Sequence, residues 1–475
     1  MARLQFIQHR NPLHVTVGLL ALALCGGVAL YAAQHAALLK LAYPAAAFAI
    51  GGWLYATRPA LYLGFVWWTW LTVPFIRRLI EYQTGFDSMN LAMTAPLAAS
   101  LFTVFSVLRF GKKLQERAYA PYAFLLAAIV YSYLVGLPKT SPLGATLVLL
   151  AWMLPVTLAF HLHVLWSHYP AHRTAVQTVV RWGVLVLGVY GILQYLAPAP
   201  WDQAWMLASG METIGRPEPY EVRVFSMLNA PGPFAMVMMA GLIVLFVDGQ
   251  WMARLAVAPG AVALMLALVR AAWGGWAVGL GYLAIRSHGA LQRRILVVLG
   301  VGLVLIVPFL QYGPIAEDVG DRAETLTALG QDNSFGARVA FFKVAAGWVL
   351  SNPVGAGLGS TGRGAKLNDS GLVSFDSGLL AIPFTLGWLG ALLYIGGLVL
   401  LLIPLLKVDA RKLDPFALAC AAVVVAFLAQ LLFANSFTDL KGIVFWTFVG
   451  LGLAARLHHA AAAPVDPPQK AVAAS

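Results

Sequence analysis

Three arginines of this largely apolar chain could each bind an anion through the guanidinium group. Arg270 separates two apolar runs in LALVRAAWGGW, Arg223 lies in YEVRVFSMLNAPG, and Arg338 lies in SFGARVAFFKVAAGWVL. A guanidinium binds phosphate oxygens with paired hydrogen bonds, so the three predict a phosphate-binding site. Taken singly, Arg270 also fits an arginine that reaches the lipid headgroups, and Arg223 and Arg338 also fit solvated surface.

Asp376 is the last carboxylate of the long polar stretch. It stands just before the apolar run that starts near residue 378, in FDSGLL. A carboxylate within hydrogen-bond reach of a hydroxyl can accept its proton. The same Asp-Ser-Gly sequence also suits the N-cap of the following helix, and the sequence leaves both interpretations open.

Weaker candidates for substrate binding lie in the same polar stretches. They are Arg216, Asn229, Lys343 and Arg363. The glycines around Arg363, from Ser351 to Gly371, predict a flexible turn region that can close over a ligand. Lys343 and Arg363 also fit solvated surface.

The composition is that of a membrane protein. Of 475 residues, 60% are hydrophobic and 11% are charged, whereas a soluble domain carries about 25% charged residues. Repeated apolar runs near the ~20-residue spanning length predict an all-α, polytopic integral membrane protein. The net charge of +12 does not indicate a nucleic-acid-binding protein, because the basic residues lie mostly in short loops.

The two cysteines, Cys25 and Cys420, fall inside apolar runs. This placement predicts neither a disulfide nor a metal site.

We predict about 12–14 transmembrane helices. The candidate spans are 15–33, 38–56, 59–76, 91–108, 119–136, 144–165, 181–197, 232–247, 255–269, 271–286, 295–311, 378–405, 415–434 and 441–456. The pair on either side of Arg270 has almost no loop between its members.

Loop charge predicts the orientation and the organisation of the chain. With the N-terminus in the cytoplasm, the inner loops hold most of the basic residues and few of the acids. The chain then divides into a first transmembrane part at 1–311, a large, partly helical outer loop at 312–377, a last transmembrane part at 378–456 and a disordered cytoplasmic tail at 457–475. Arg77, Arg78 and Glu81 begin another outer loop and are candidates for contacts with lipid headgroups.

The order of these motifs resembles the O-antigen ligase/polymerase family of bacterial envelope glycosyltransferases. The resemblance covers roughly Trp182 to Leu405. Five motifs follow one another in the family's order. The first two are Arg223 ahead of the Asn229-Pro231-Gly232 turn and Arg270 at the top of a helical pair. The others are a loop helix with Arg338, Lys343 and Trp348, the segment NPVGAGLG, and a polar residue that opens the run DSGLLAIPFTLGWLGALL.

The resemblance implies a GT-C-like fold in the bacterial inner (cytoplasmic) membrane, with the active site on the periplasmic face. It implies an inverting transfer without a metal or other cofactor. The donor and the acceptor would both be glycans linked to undecaprenyl diphosphate. By this likeness Arg223, Arg270 and Arg338 hold the donor diphosphate. Membrane lipids and a protein that regulates chain length are the other partners expected, and nucleic acid is not.

One departure from the family separates its branches. Ligases carry a histidine, their base, where this chain has Asp376, so the resemblance implies that Asp376 is the base here. Polymerases depart from histidine more often, which favours a polymerase of exopolysaccharide or O-antigen. An O-antigen ligase that uses lipid A–core as acceptor is the nearest alternative. A lipid-linked glycan flippase or transporter is an alternative from another class, although the predicted spans are nearly free of charge. A structural scaffold would leave the three arginines without a ligand.

Overall fold

The computed structural model describes residues 36–297, 300, 342, 344–367, 377–407 and 413–462, with the backbone alone at residues 363, 366 and 367. This part of the chain consists of helices joined by turns, with one isolated β-bridge between Gly215 and Val222. The predicted all-α class is confirmed for it.

In chain order the labelled helices are α1 (Ala36–Thr57), α2 (Pro59–Thr84), α3 (Ala95–Ser100), α4 (Thr103–Arg109), α5 (Ala120–Gly136), α6 (Pro142–Val164), α7 (Tyr169–Leu196), α8 (Pro200–Ser209), α9 (Pro231–Val247), α10 (Trp251–Leu266), α11 (Arg270–Arg286), α12 (Gly362–Leu367), α13 (Gly378–Leu406), α14 (Pro415–Leu428) and α15 (Asp439–Ala462). Seven helical segments of the described chain are long and apolar enough to cross a membrane. The protein is therefore an all-α membrane protein.

Local sequence explains where several helices begin. The Ser141 hydroxyl accepts a hydrogen bond from the Gly144 backbone N–H at the start of α6, and the Asp414 carboxylate accepts one from the Ala417 N–H at the start of α14. Each cap is followed directly by a proline, whose missing N–H costs nothing in the first turn of a helix. These polar caps fix the ends of helices that are otherwise apolar throughout.

The connections between helices gather at two ends of the bundle. The end that loop charge predicts to face outside, called the outer end, holds the turns 85–94, 137–141, 197–230, 267–269, 352–361 and 429–438. Hydrogen bonds join these turns, for example from the Arg223 side chain to the Leu268 carbonyl and from the Gly378 N–H to the Leu431 carbonyl. The opposite, inner end is held by Asp414, which contacts Tyr169 and His459.

Several helix boundaries differ from the predicted ones. Helix α2 continues to Thr84 instead of ending near residue 76, so Arg77, Arg78 and Glu81 lie within the helix and do not begin a loop. Helices α10 and α11 are separate, as predicted. Helix α15 extends to Ala462, beyond the predicted end of the span at 456. The predicted span 15–33, most of 295–311 and most of the loop 312–377 lie outside the described residues.

The Gly-rich segment is packed, which corrects the prediction of a flexible turn. Residues 353–360, which we call the strap, lie between α5 and α13. The strap N–H groups of Ala356 and Gly357 donate to the carbonyls of Phe384 and Thr385 in α13, at 2.9 and 3.0 Å. Helix α13 is broken at this point, where Gly387 has φ +68°. The strap thus bonds to α13 beside the point at which this membrane-length helix is interrupted.

Gly357 allows the strap to approach α5 backbone to backbone. Its φ is +85°, and a Cβ at this position would lie 2.4 Å from the Cα of Gly136. We therefore expect Gly357→Ala to lower the free energy of unfolding by roughly 3 kcal/mol, from the left-handed backbone and the overlap together. Thermal unfolding in detergent, followed by tryptophan fluorescence, measures the change. Gly281→Ala is the control, since a Cβ there meets nothing within 4 Å, and equal melting temperatures for the two variants would contradict the packing described.

Asp414 predicts a dependence of stability on pH at the inner end. Burial raises the pKa of this carboxyl, but hydrogen bonds from the Ala417 N–H, His459 and Tyr169, with the charge of Arg173, outweigh burial and lower the pKa overall. A lowered pKa in the folded state stabilises the fold above the unfolded-state pKa of about 3.9. This contribution is lost as the pH falls through the lowered pKa.

We therefore expect Asp414→Asn to be less stable than the wild-type protein near pH 7. The difference should shrink as the pH is lowered below about 4. Melting temperatures of both proteins between pH 7 and pH 3 measure it, and a difference that stays constant with pH would refute the linkage.

Candidate functional site

A buried ion pair fixes the long turn 197–230 at the outer end. The Arg78 guanidinium in α2 donates to the Asp202 carboxylate in α8, and both side chains are fully buried. A second guanidinium nitrogen of Arg78 donates to the backbone carbonyl of Ser226. The other oxygen of Asp202 accepts from the Tyr190 hydroxyl and from the Gln194 amide, each at 2.8 Å. A buried charge is tolerable when it is paired and hydrogen-bonded in this way.

Gln194 extends the same network to the backbone of the turn. Its side-chain carbonyl accepts from the N–H groups of Phe225 and Ser226, at 3.1 and 2.8 Å. The Ser226 hydroxyl donates to the Leu187 carbonyl at 2.7 Å. The Gln194 amide also donates to the Ser226 carbonyl at 3.4 Å. Four hydrogen bonds therefore hold Ser226, and they set the course of the chain three residues after Arg223.

The turn places Arg223 beside the start of α11. The Arg223 guanidinium donates to the carbonyls of Thr213 and Leu268, at 2.9 and 3.2 Å, and the Val224 N–H donates to the Leu266 carbonyl at 3.1 Å. Arg270 follows Leu268 by two residues and is the first residue of α11. The structure thus brings the region of Arg223 and the region of Arg270 together, and both side chains are partly exposed there.

Backbone strain accompanies this arrangement. Tyr220, Ser226 and Leu268 have φ values of +68°, +52° and +54°, which side chains other than glycine rarely adopt. Such residues cost about 1–3 kcal/mol each and persist where their surroundings hold them; they occur often at functional sites. At Leu268 the carbonyl is the acceptor for Arg223, so the strained turn and the arginine contact belong together.

The start of α13, next to Asp376, packs against the same neighbour as α11. Asp376 itself lies outside the described residues, but the Gly378 N–H donates to the Leu431 carbonyl at 2.9 Å. In α11, a Cβ at Gly275 would lie 2.3 Å from the amide nitrogen of Gln430. The segment 430–431 therefore touches both α11, five residues beyond Arg270, and the first residue of α13.

The other predicted site residues have different surroundings. Asn229 is half-buried, with its amide nitrogen 3.9 Å from the sulfur of Met93. Arg216 is exposed, and its side chain forms a 3.4 Å ion pair with Glu221, which is a weak surface contact. Arg338 and Lys343 lie outside the described residues, and so does the side chain of Arg363.

The helix that follows Lys343 is described in part and agrees with the predicted loop helix. Residues 344–351 are helical, and Ala345 packs with Ala381 of α13. The Trp348 ring lies 6.2 Å from the Phe384 ring, measured between centroids. The end of the loop helix therefore rests on the outer part of α13.

Sequence analysis missed the network around Arg78. Arg78 and Asp202 are 124 residues apart in the chain, and no local pattern links them. One signal was present: a charge that closely follows a long apolar run needs a partner, and Arg78 follows WWTWLTVPFI. Within the described ranges, no group of three His, Cys, Asp or Glu residues could hold a metal ion.

Comparison with known proteins adds no assignment. No protein-family model matches the chain, and no curated protein matches it.

The ion pair can be tested by comparing single and double substitutions. Arg78→Met leaves the Asp202 carboxylate buried without its cation, which should cost about 3–5 kcal/mol of folding stability. The double variant Arg78→Met, Asp202→Leu removes both charges and should recover most of the loss. Chemical unfolding in micelles measures both values. A double variant as unstable as the single one would show that the pair is not the cause.

Proposed function

We propose that this protein is an inner-membrane glycosyltransferase. It polymerises oligosaccharide repeat units linked to undecaprenyl diphosphate into exopolysaccharide or O-antigen. It transfers the growing chain from its lipid diphosphate to the terminal sugar of an incoming repeat unit, with inversion and without a metal ion. The site lies at the outer end, on the periplasmic face. The observation that carries the proposal is the contact of the Arg223 guanidinium with the turn that leads into Arg270.

The chemistry of the leaving group supports this use of arginine. Breaking a bond between a sugar and a phosphate builds negative charge on the departing diphosphate. Fixed guanidinium groups stabilise that charge where other enzymes use a metal ion. Arg223 is fixed by two backbone carbonyls, and Arg270 by its place at the first turn of α11. Positive groups at the N-terminus of a helix also have the helix N–H groups beside them, which favour an anion.

Asp376 is the candidate residue for the acceptor half of the reaction. Asp376 would accept the proton of the attacking hydroxyl, and Arg338 would complete the diphosphate site. Lys343, Arg363, Arg216 and Asn229 are the candidates for contacts with the sugars. The oxygen of the acceptor hydroxyl bonds to the anomeric carbon while the bond from that carbon to the diphosphate oxygen breaks, and the electron pair leaves with the diphosphate.

A flippase is the second candidate because α13 is broken. Interrupted helices line substrate sites in many transporters. The break at Gly387 is filled by the strap, whose N–H groups bond to Phe384 and Thr385. A polymer ladder distinguishes the two functions, because a flippase moves its lipid without lengthening the glycan.

Purified protein in nanodiscs, supplied with lipid-linked repeat units alone, tests the proposal. We expect a ladder of longer glycans. Arg270→Lys and Arg223→Lys keep the positive charge but lose the two-pronged hydrogen bonding, and we expect the rate to fall about 10²-fold or more. Arg254→Ala, an exposed arginine at the inner end, is the matched control and should retain the wild-type rate.

Each alternative has its own result in this assay. Products formed only when lipid A–core is added would indicate a ligase. In sealed proteoliposomes, transport of the lipid between the two leaflets without longer products would indicate a flippase. Full activity of both lysine variants, with unchanged melting temperatures, would remove the donor site proposed above.

A further inference from the structure

The outer half of α7 presents one row of residues to the segment 220–226, which contains Arg223. The row has the spacing i, i+4, i+7 and i+8, which is that of a single helix face. Its members, all of them buried, are called the α7 row: Leu187, Gly191, Gln194 and Tyr195. The contacts of this row decide where the segment lies on α7.

Backbone carbonyls of the α7 row hold both ends of the segment. The Tyr195 carbonyl accepts a hydrogen bond from the Tyr220 N–H at 2.7 Å. The Leu187 carbonyl accepts one from the Ser226 hydroxyl at 2.7 Å. Tyr220 and Ser226 both have a left-handed backbone, with φ values of +68° and +52°. The row therefore bonds to the two strained residues that bound the segment.

The middle of the segment packs on the glycine of the row. A Cβ at Gly191 would lie 2.7 Å from Cγ1 of Val224, so a larger residue would displace that side chain. The Val224 N–H donates to the Leu266 carbonyl at 3.1 Å. The guanidinium of the preceding residue, Arg223, donates to the Leu268 carbonyl at 3.2 Å. A shift of the segment on α7 would therefore also shift Arg223 against the turn that leads into α11.

Gln194 adds side-chain hydrogen bonds to the same segment. Its carbonyl oxygen accepts from the N–H groups of Phe225 and Ser226, and its amide nitrogen donates to the Asp202 carboxylate. All four residues are buried. A leucine at position 194 would leave the two N–H groups buried without this acceptor, so the backbone would move to recover hydrogen bonds. Because these N–H groups lie two and three residues after Arg223, the movement reaches the guanidinium.

From these contacts we infer that Gln194 is a positioning residue for Arg223. It fixes the backbone at residues 225–226 against α7 and so keeps the Arg223 guanidinium on the Leu268 carbonyl, next to the start of α11. Gln194 acts on the reaction through Arg223 and needs no contact with a substrate. The inference rests on the proposed function for the role of Arg223 as a ligand of the donor diphosphate, but the position of Arg223 can be tested without any substrate.

Chemical modification of arginine tests the position of Arg223 directly. Protein in nanodiscs is treated with phenylglyoxal, which reacts with accessible guanidinium groups, and peptide mass spectrometry quantifies the modified arginines. Arg216, exposed on the same turn, is the internal reference in every sample. We expect Gln194→Leu to raise the modification of Arg223 relative to Arg216 about fivefold, the effect of weakening one hydrogen bond. Gln203→Leu is the control and should keep the wild-type ratio, because the Gln203 amide lies on the same turn but bonds to the Pro198 carbonyl.

Gly191→Ala disturbs the same row by a different route and serves if Gln194→Leu does not fold. Its methyl group would displace Val224, while alanine itself favours the helix over glycine. We expect the modification of Arg223 to rise here too. Gly281→Ala, where a Cβ meets nothing within 4 Å, is the control. A wild-type ratio in folded Gln194→Leu, or in Gly191→Ala should the former not fold, would overturn the inference.

The rate of polymer formation then shows whether Gln194 acts through Arg223. In the wild-type background we expect Gln194→Leu to lower this rate about tenfold, since a small displacement of a positioned group is costly. In the Arg223→Lys background the same substitution should lower the rate by less than about twofold, because the group that it positions is already replaced. A residue that merely supports the fold would lower the rate by the same factor in both backgrounds, and that result would contradict positioning through Arg223.

The two measurements separate this inference from the proposed function. Increased modification of Arg223 in Gln194→Leu, in a protein that makes no polymer, would leave the hold of Gln194 on Arg223 standing while the proposed function falls. A ladder made by Gln194→Leu at the wild-type rate, with the wild-type modification ratio, would overturn the positioning role and leave the proposed function standing.

Discussion

The outer end of this protein depends on one buried charge and the groups that satisfy it. An arginine without solvent exposure is stable only if its charge is balanced and its N–H groups are hydrogen-bonded. Arg78 balances its charge against Asp202 in α8 and uses its two terminal nitrogens to bond Asp202 and the backbone of Ser226, while its Nε has no hydrogen-bond partner among the described residues. The consequence reaches beyond the pair, because Ser226 belongs to the turn that carries Arg223. The position of Arg223 against the start of α11 is thus set in part by a charge on α2.

A second constraint comes from the backbone of α13. A helix broken inside a membrane exposes carbonyl and N–H groups that lipid cannot satisfy. Here the strap supplies the partners: its N–H groups bond to the carbonyls of Phe384 and Thr385, and the Trp388 N–H bonds back to Pro353. So close an approach needs glycine on both sides, and Gly355 and Gly387 lie almost in contact, with a Cβ at Gly355 only 2.3 Å from the Gly387 nitrogen. The glycines of the strap are thus explained by its close packing against the interrupted helix α13 more than by flexibility.

These two constraints explain what could be predicted from the sequence. Long apolar runs predicted the class of the protein and most of its helices, because lipid demands such runs locally. A lone charge between two runs correctly predicted separate helices on either side of Arg270. The same reasoning failed at Arg78, since hydropathy ends a helix at its first charges, and the partner that keeps those charges buried is 124 residues away. The prediction of a flexible turn at the strap was also wrong. Glycines indicate a turn, but the residues against which they pack, Gly136 and Gly387, are distant in the sequence and become evident only in the fold. The contact of Arg223 with the turn before Arg270 is equally non-local, so the sequence could propose it only through the likeness to a family.

The distribution of strain bears on where this protein does its work. Four residues other than glycine have a left-handed backbone within the described chain: Tyr220, Ser226, Leu268 and Asp439. All four belong to turns or helix starts at the outer end. Each such residue costs about 1–3 kcal/mol of stability, whereas a glycine could reverse the direction of the chain at the same place without this strain. At Ser226 and Leu268 the strained residue gives its carbonyl to an arginine. Strain and the buried Arg78–Asp202 pair therefore coincide at the outer end, where Arg223 meets the turn before Arg270.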